Sequence, residues 1–511
     1  MVLSDIIKRW RMFNDGKPGM STTGTDEHGS KIEIAAENAG IDTKIFVDGL
    51  SDKFKISMQQ ANISAERFIR TTDSDHVTSC ISMWELLKAR GFIYKGKHSG
   101  WYCISDETFY PETQIEDIVD TSTGKRCMVS KETGKSVEWT SEDNYYFAMS
   151  KVKEQLLAHL RKNPKCIIPK SRYDEIIKTV MNSEDNDLSI SRPKSRVKWG
   201  IPVPGDDTQT IYVWLDALVN YLTSTGFPWK TEADFMKSAW PADVHLVGKD
   251  IIKFHCIYWP SFLLAAGLPL PKQVVVHSHW TMNGTKMSKS LGNVVDPTET
   301  IAHFGNDSVR FFLANDGHLG FDSNYSDERV QERHNVELAN KYSNLLVRVC
   351  GPAFNIERAL ARTPEDLQKA VELAFQDKSH LLETYSNLKT NTNSLVCRMN
   401  DHMNEFCTAH TLDRVRELIA DTNKFVQDAE PWKFKKEDNL AIQDAIIYIA
   451  SEVSRISSLA SQPFMPDISS KALNRLNVSI ENRTVDYALI GADRTYGKGA
   501  NRKGDHPVTH I

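Results

Sequence analysis

What the chain has little of narrows the reading before any motif is considered. No run of 18 apolar residues occurs among its 511 positions, so no membrane-spanning helix is expected. The N-terminal stretch is amphipathic and carries Asp5 and Asp15, unlike a basic segment leading into a signal-type apolar core. Eight cysteines (Cys80, Cys103, Cys127, Cys166, Cys256, Cys350, Cys397 and Cys407) are scattered without a C-x-x-C pair. That excludes a zinc knuckle or a dense disulfide framework, and a reducing compartment is expected. Positive charge is not in surplus: 62 Lys+Arg against 67 Asp+Glu leave a net charge of −5. A protein that coats nucleic acid by bulk charge is thereby excluded, and any nucleic-acid partner must be met by local patches. There is no internal repeat and no low-complexity tract.

What is present reads as a soluble multidomain chain, 40% apolar and 25% charged. Val2, Leu3, Ile6, Ile7, Trp10 and Phe13 recur at helical spacing up to Asn14-Asp15-Gly16, so the chain opens inside a helix. Ser21-Thr22-Thr23-Gly24-Thr25-Asp26-Glu27-His28-Gly29 is a small polar turn before a helical pattern over 32–39, as at the C-terminal end of a strand in an α/β sheet, where ligands bind. From about 95 to 200 the sequence turns aromatic and turn-rich around a lone helix near Lys151–Arg161 and reads as an insertion. Ile211–Asp216, Val244–Gly248 and Val274–His277 are three apolar runs expected as buried parallel strands. From about 326 to 465 helical periodicity dominates and a helix bundle is expected.

The sharpest feature is Lys286-Met287-Ser288-Lys289-Ser290-Leu291-Gly292-Asn293, just beyond Asn283-Gly284. Two lysines with hydroxyl and glycine neighbours suit a mobile clamp on a polyphosphate, because lysine offers a compact charge and three donors. A generic K-x-x-K would be a solvated loop, but the pentapeptide Lys286–Ser290 is the KMSKS motif of class I aminoacyl-tRNA synthetases. Further blocks occur in order: Thr23–Gly29, Trp199-Gly200-Ile201-Pro202-Val203-Pro204-Gly205, Tyr212–Ala217, Gly248-Lys249-Asp250-Ile251-Ile252-Lys253-Phe254-His255 and Tyr258-Trp259-Pro260. Together they resemble the methionyl-tRNA synthetases, and the resemblance covers essentially the whole chain.

The resemblance implies an α/β fold: a doubly wound, Rossmann-like parallel sheet with an inserted connective domain and a C-terminal helical anticodon-binding bundle. The expected parts are residues 1–94 and 200–325 for the two halves of the catalytic domain, 95–199 for the insertion and 326–511 for the anticodon domain. The implied activity is methionine–tRNA ligation through methionyl-adenylate. Asp26 would bind the methionine amino group, a charge-assisted contact suited to a carboxylate at a strand end; read by itself, Asp26 is equally an N-cap. Trp214, Ala217, Tyr221, Ile251, His255 and Trp259 would line the side-chain pocket, where a thioether stacks well against ring edges. Outside that context Trp214 and Trp259 read as core and His255 as a satisfied core histidine.

Gly248 and Asp250 would approach the adenosine, the glycine by close backbone contact and the carboxylate through ribose hydroxyls. Lys286, Ser288 and Lys289 would carry the phosphate chemistry, with Lys286 and Lys289 on the β- and γ-phosphates and Mg²⁺ arriving with ATP. Arg192 matches a position that forms an ion pair near the site. In the helical domain Asn340, Asn344 and Trp432 would read the anticodon of tRNA(Met), amides meeting base edges and an indole beside Pro431 offering a stacking surface; a buried aromatic before a solvated helix face is the other reading. A monomer without membrane contact is expected.

The chain also departs from the family. No HIGH-type histidine motif is present; the opening helix resembles the one that follows it, so the first strand and histidine loop are expected upstream of Met1. That strand is central in a doubly wound sheet, and its loss leaves buried backbone unpaired at a cost of about several kcal/mol. A catalytically impaired fragment or a tRNA-binding pseudoenzyme is therefore the alternative. Many relatives bind zinc in the insertion through paired cysteines; only Cys103 and Cys127 are available here, so no zinc is expected. The compact form resembles the organellar, bacterial-type enzyme, which points to the mitochondrial matrix, with the cytoplasm as the alternative.

Overall fold

The computed structural model describes residues 1–103, 108–110, 112–119, 126–183, 187–287, 292–504 and 506–511. Two compact units are present: a sheet unit (Thr22–Ile56 and Ala65–His277) and a helical unit (Met1–Ser21, Ser57–Ser64 and Ser278–Ile511).

In the sheet unit Thr22–Thr25 pairs in parallel with Arg67–Arg70. Gly24 is required there, since a Cβ would fall 1.9 Å from the Ile69 carbonyl oxygen. A second parallel sheet runs Val244–Gly248, Gln273–His277, Ile167–Ile168. Val274, Val275 and Val276 are all buried, the continuous apolar run of a strand covered on both faces. The expected strand Val244–Gly248 and its neighbour are therefore present. The third expected strand, Ile211–Asp216, is not a buried parallel strand. Asp206–Ile211 is antiparallel to Ser191–Pro193 and Pro202–Val203, and Val213–Thr223 is a helix. Leu215, Leu218, Val219 and Leu222 recur at helical spacing and bury against Trp84, Leu87, Trp259 and Phe262; that period outweighs the local β-branched and aromatic preference.

The aromatic stretch forms an antiparallel sheet in the order Thr108–Tyr110, Ile93–Cys103, Glu138–Phe147, Leu188–Ser189, with a separate hairpin Ile115–Val119/Arg126–Ser130. The expected lone helix is Lys153–Lys162, and a second helix, Lys170–Asn182, follows. Between them Ile167–Ile168 joins the parallel sheet through Gln273–His277, so residues 95–199 contribute to more than one sheet.

In the helical unit the opening helix Val2–Asp15 is present as expected. Trp10 Nε1 donates to Asn400 Oδ1 at 3.1 Å, and Asp5 meets Arg310 Nη2 at 2.7 Å with both side chains fully buried. Arg310 also donates to the carbonyls of Phe464, Pro463 and Ala61, so its charge is satisfied on every side. A small sheet carries Lys286: Trp280–Met282 lies parallel to Ser323–Tyr325 and antiparallel to Thr285–Lys286. Asn283 (φ 52°) and Gly284 (φ 74°) make the tight turn between them, the left-handed pair that an Asn-Gly hairpin supplies at least cost. After Ser323–Tyr325 the described residues carry helices only, centred on Leu440–Ser461, whose side chains from Ile442 onward are buried on every face.

Candidate active site

The turn after Thr22–Thr25 is fixed by its least conspicuous member. Glu27 is buried and accepts from Arg70 Nε (2.8 Å) and Nη2 (2.9 Å) and from the Thr25 and Thr72 hydroxyls (2.6 Å each). Its carbonyl accepts the Trp199 indole N–H at 2.7 Å, and Gly29 N–H donates to the Trp199 carbonyl at 3.0 Å. Trp199, first residue of the W-G-I-P-V-P-G block, thus holds the turn. Asp26 is left exposed on it. The N-cap alternative for Asp26 is overturned: the following helix begins at Ser30 with Gly29 as its cap.

Next to the turn, His28 Nδ1 lies 2.6 Å from Asp216 Oδ2, and His76 Nε2 lies 2.7 Å from Asp216 Oδ1. Burial opposes charge on His28, but the hydrogen bond and charge of Asp216, with Asp26 and Glu27, prevail and raise its pKa. Burial likewise opposes ionisation of Asp216, and its two histidine partners outweigh that and hold its pKa low.

The expected pocket residues are contributed by Val213–Thr223 and the segment from Lys249 to Ala266. Trp214 stacks on Phe254 at 3.5 Å and 12°. Tyr221 Oη lies 2.7 Å from His255 Nε2, and His255 Nδ1 lies 3.0 Å from the Ile251 carbonyl oxygen. A carbonyl only accepts, so Nδ1 carries the proton and Nε2 accepts from the tyrosine hydroxyl. His255 lies in a π-helical stretch, Phe254–Tyr258, that Trp259 caps. Trp259 is fully buried, and its Nε1–H donates to His245 Nε2 at 3.3 Å. The His245 ring lies 4.1 Å from that of Tyr221. Burial drives His255 down to about 4; burial and then repulsion from His255 drive His245 to about 3. Burial also pushes the Tyr221 hydroxyl well above its ordinary value. At neutral pH these rings carry no charge. Ala217 is half-buried, and its carbonyl accepts from Asn220 Nδ2 at 2.5 Å.

Sequence reasoning missed His245 and Phe254 in this cluster and Glu27, His28, Arg70 and Asp216 beside it. A histidine inside the apolar run Val244–Gly248 was the one available signal for His245.

Gly248 and His277 end adjacent parallel strands in register, at the sheet edge where α/β folds bind ligands. A Cβ at Gly248 would meet the His277 ring at 3.6 Å, ordinary contact, so the fold itself does not demand glycine there. Asp250 is exposed in the turn that follows. Arg192 is buried, donates to the Ser191 carbonyl (2.7 Å) and Ser189 Oγ (3.0 Å), and lies 4.6 Å over the Tyr212 ring.

In the helical unit Lys286 is exposed on its strand; Ser288 and Lys289 lie outside the described residues. Met287 packs against a cluster of Phe304, Val309, Phe312, Tyr325 and Val330, and Asn293 Nδ2 donates to the Lys286 carbonyl at 3.3 Å. Asn340 and Asn344 are exposed, one turn apart, across the junction of the π-helical stretch His334–Ser343 and the α-helix Asn344–Val349. His510 Nε2 lies 2.8 Å from Asn340 Oδ1. Asn423 and Gln427 of helix Thr408–Ala429 bond to the Lys341 carbonyl (3.1 Å) and Arg348 (3.0 Å). Trp432 follows that helix after Glu430, whose φ of 50° turns the chain out of it, and is 36% exposed.

Residues 1–350 match the model of class I tRNA synthetases (M), and residues 377–490 match the anticodon binding domain of methionyl tRNA ligase. The chain belongs to the methionyl-tRNA synthetase family. It is 43% identical to the mitochondrial methionine–tRNA ligase of Candida albicans over 98% of this chain and 90% of that one. Identity to the mitochondrial methionine–tRNA ligase of Homo sapiens is 42%, over 97% of this chain and 83% of that one. The Mycobacterium tuberculosis methionyl-tRNA synthetase bound by methionyl-adenylate superposes with a TM-score of 0.86 at 34% identity, covering 99% of this chain and 95% of that one. The fold is that of a class I methionyl-tRNA synthetase with its helical anticodon domain, the activity is methionine–tRNA ligation, and the relatives place the chain with the mitochondrial members.

Proposed function

We propose that this chain activates L-methionine with ATP, delivered with Mg²⁺, and transfers it to tRNA(Met) in the mitochondrial matrix, as a monomer and without structural zinc. The methionine carboxylate attacks the α-phosphorus and pyrophosphate leaves; a ribose hydroxyl of the terminal nucleotide then attacks the adenylate carbonyl and AMP leaves. No covalent enzyme intermediate is needed, and positioning with charge stabilisation supplies the acceleration. Asp26 takes the ammonium. Trp214, Ala217, Tyr221, Ile251, His255 and Trp259 take the side chain. Gly248 and Asp250 are assigned to adenosine, Lys286, Ser288 and Lys289 to the phosphates, and Asn340, Asn344 and Trp432 to the anticodon.

The observation that carries this reading is the uncharged aromatic cluster around Tyr221. With His255 and His245 both held neutral by burial, it offers a polarisable, charge-free wall suited to a thioether and hostile to a charged side chain. The test is amino-acid-dependent pyrophosphate exchange followed by tRNA charging. Methionine should support exchange, and Lys289→Ala should lower it by about 100-fold, the scale of losing one charge-stabilising donor, with tRNA affinity unchanged. Exchange with leucine or valine in preference to methionine would reject the assignment, and tRNA binding without exchange by any amino acid would favour the pseudoenzyme.

A further inference from the structure

A free methionine presents two ends: an ammonium and carboxylate at one, a thioether several bonds away at the other. A site that recognises both must fix the distance between the group that receives the ammonium and the hollow that receives the sulfur. On the reading above, the first is Asp26 on the turn after Thr22–Thr25, and the second is lined by Trp214, Ala217 and Tyr221 of helix Val213–Thr223. Asp216 belongs to that same helix. At about 100° per residue, Asp216 and Thr223 point in a third direction, away from both the pocket stripe and the core stripe of Leu215, Leu218 and Leu222.

In that third direction Asp216 meets the turn itself, through His28 at 2.6 Å, two residues beyond Asp26. Its other oxygen takes His76 at 2.7 Å, and His76 Nδ1 lies 3.1 Å from Thr223 Oγ1. Asp216 is 1% exposed, so the two histidines replace its water entirely. Cys80 completes the cluster, with Sγ 3.2 Å from His76 Nε2. Among the described residues, His76, Cys80 and Asp216 are the three side chains grouped as metal ligands could be. Ligands about 2.0 Å from one tetrahedral ion stand roughly 3 Å or more apart, however, and the 2.7 Å between His76 Nε2 and Asp216 Oδ1 is a hydrogen bond.

We infer that Asp216 is a positioning residue for the polar end of methionine: by holding His28 it ties the turn that carries Asp26 to the helix that lines the thioether pocket. Glu27, bonded to Arg70, Thr72 and Trp199, anchors the turn on the side of the neighbouring strand. The His28–Asp216 bond anchors it to the pocket helix. The first anchor keeps the turn folded; the second sets its distance from the pocket.

The inference rests on the assignment of Asp26 and the aromatic pocket to methionine, and the test separates the two. Dissociation constants are measured by calorimetry on the full chain for L-methionine and for 4-(methylthio)butanoate, which has the thioether and carboxylate but no ammonium. His28→Ala and Asp216→Asn should each weaken methionine about tenfold, a loss of one charge-assisted contact, and change the desamino analogue less than about twofold. The double variant should be no weaker than the weaker single, because both break one bond. His28→Asn, whose amide nitrogen stands where Nδ1 stood, should recover most of the affinity.

Equal weakening of both ligands, additive losses in the double variant, or methionine affinity unchanged in His28→Ala would overturn the tether. If Asp216→Asn does not yield soluble protein, His28→Ala and His28→Asn decide by the same criteria. Failure of the unaltered chain to bind either ligand would instead remove the pocket assignment on which the tether rests.

Discussion

Two tryptophans assigned to ligand recognition stand in opposite surroundings. Trp259 is 0% exposed, its indole N–H committed to His245, within a cluster whose titratable rings are held neutral by burial. Trp432 is 36% exposed after the end of a helix, just before Lys433, Lys435 and Lys436. The roles proposed for them account for the difference. A small amino acid with an apolar side chain is recognised by removing it from water, which needs a preformed hollow; an unpaired base on a polyanion is recognised by a face left in water until the ligand covers it. On the proposed roles, function is inseparable from stability at the first indole and separable at the second.

That contrast is open to direct attack. Trp259→Ala should cost about 3–5 kcal/mol of stability, as for other large core aromatics, and abolish methionine binding together with it; chemical denaturation beside calorimetry reads both. A variant that kept its midpoint yet lost methionine would place the indole in the ligand's path rather than in the core. Trp432→Ala should do the reverse, weakening tRNA by about 1–3 kcal/mol, the worth of one base stack, with melting temperature and methionine affinity unmoved. A large drop in melting temperature would return Trp432 to the core.

The histidines sharpen the comparison through pH. His255 at about 4 and His245 at about 3 lie below the unfolded value of about 6.5. The unfolded chain takes up their protons first, so the stability they contribute is present above pH ~6.5 and is lost as pH falls towards 4 and 3. His28 works with the opposite sign: its raised pKa gives stability present below about 6.5 and lost as pH rises through the folded value. Replacing His255 by Gln keeps an acceptor for Tyr221 and removes the titration. Its stability relative to wild type should improve by on the order of 1–2 kcal/mol between pH 7 and pH 5, measured by denaturation at each pH. A constant difference would mean that folded and unfolded chains bind the His255 proton equally, so that burial does not shift it.

Family and fold were legible because several short blocks of particular residue types stand in order along the chain. The lysine pentapeptide and the turn Thr23–Gly29 stood out through their resemblance to a family, and only that context lifted Trp214 and Trp259 out of the ordinary core. What was hidden is hidden for physical reasons. Asp216 looked like the end of a strand because Ile211-Tyr212-Val213-Trp214 is locally β-favouring; only the spacing of Leu215, Leu218, Val219 and Leu222, satisfied by burial in three dimensions, makes it helical. Its partners His28 and His76 lie 188 and 140 residues away in sequence, and no local period reports such a contact. Ile167–Ile168 escaped notice since two residues carry no alternation, and pairing with Gln273–His277 defines them as a strand.

The smallest expected effect concerns Lys433, next to Trp432. Its ammonium donates to Glu430 Oε2 at 2.6 Å, three residues earlier, and the lysine side chain is 63% exposed. An exposed pair of this kind contributes about 0.2–1 kcal/mol at most, so the ammonium can leave Glu430 for a phosphate at little cost. If it does, Lys433→Ala should weaken tRNA binding by less than about 1 kcal/mol and lower the slope of log affinity against log salt by about 0.7–0.9, one counterion fewer released. Glu430→Gln frees the lysine and removes a repelling charge, and should strengthen binding by a similar amount. Trp432→Ala, losing a stack and no charge, should leave the salt slope where it was. Equal slopes for all three variants and wild type would place Lys433 away from the phosphates, its ammonium retained by Glu430.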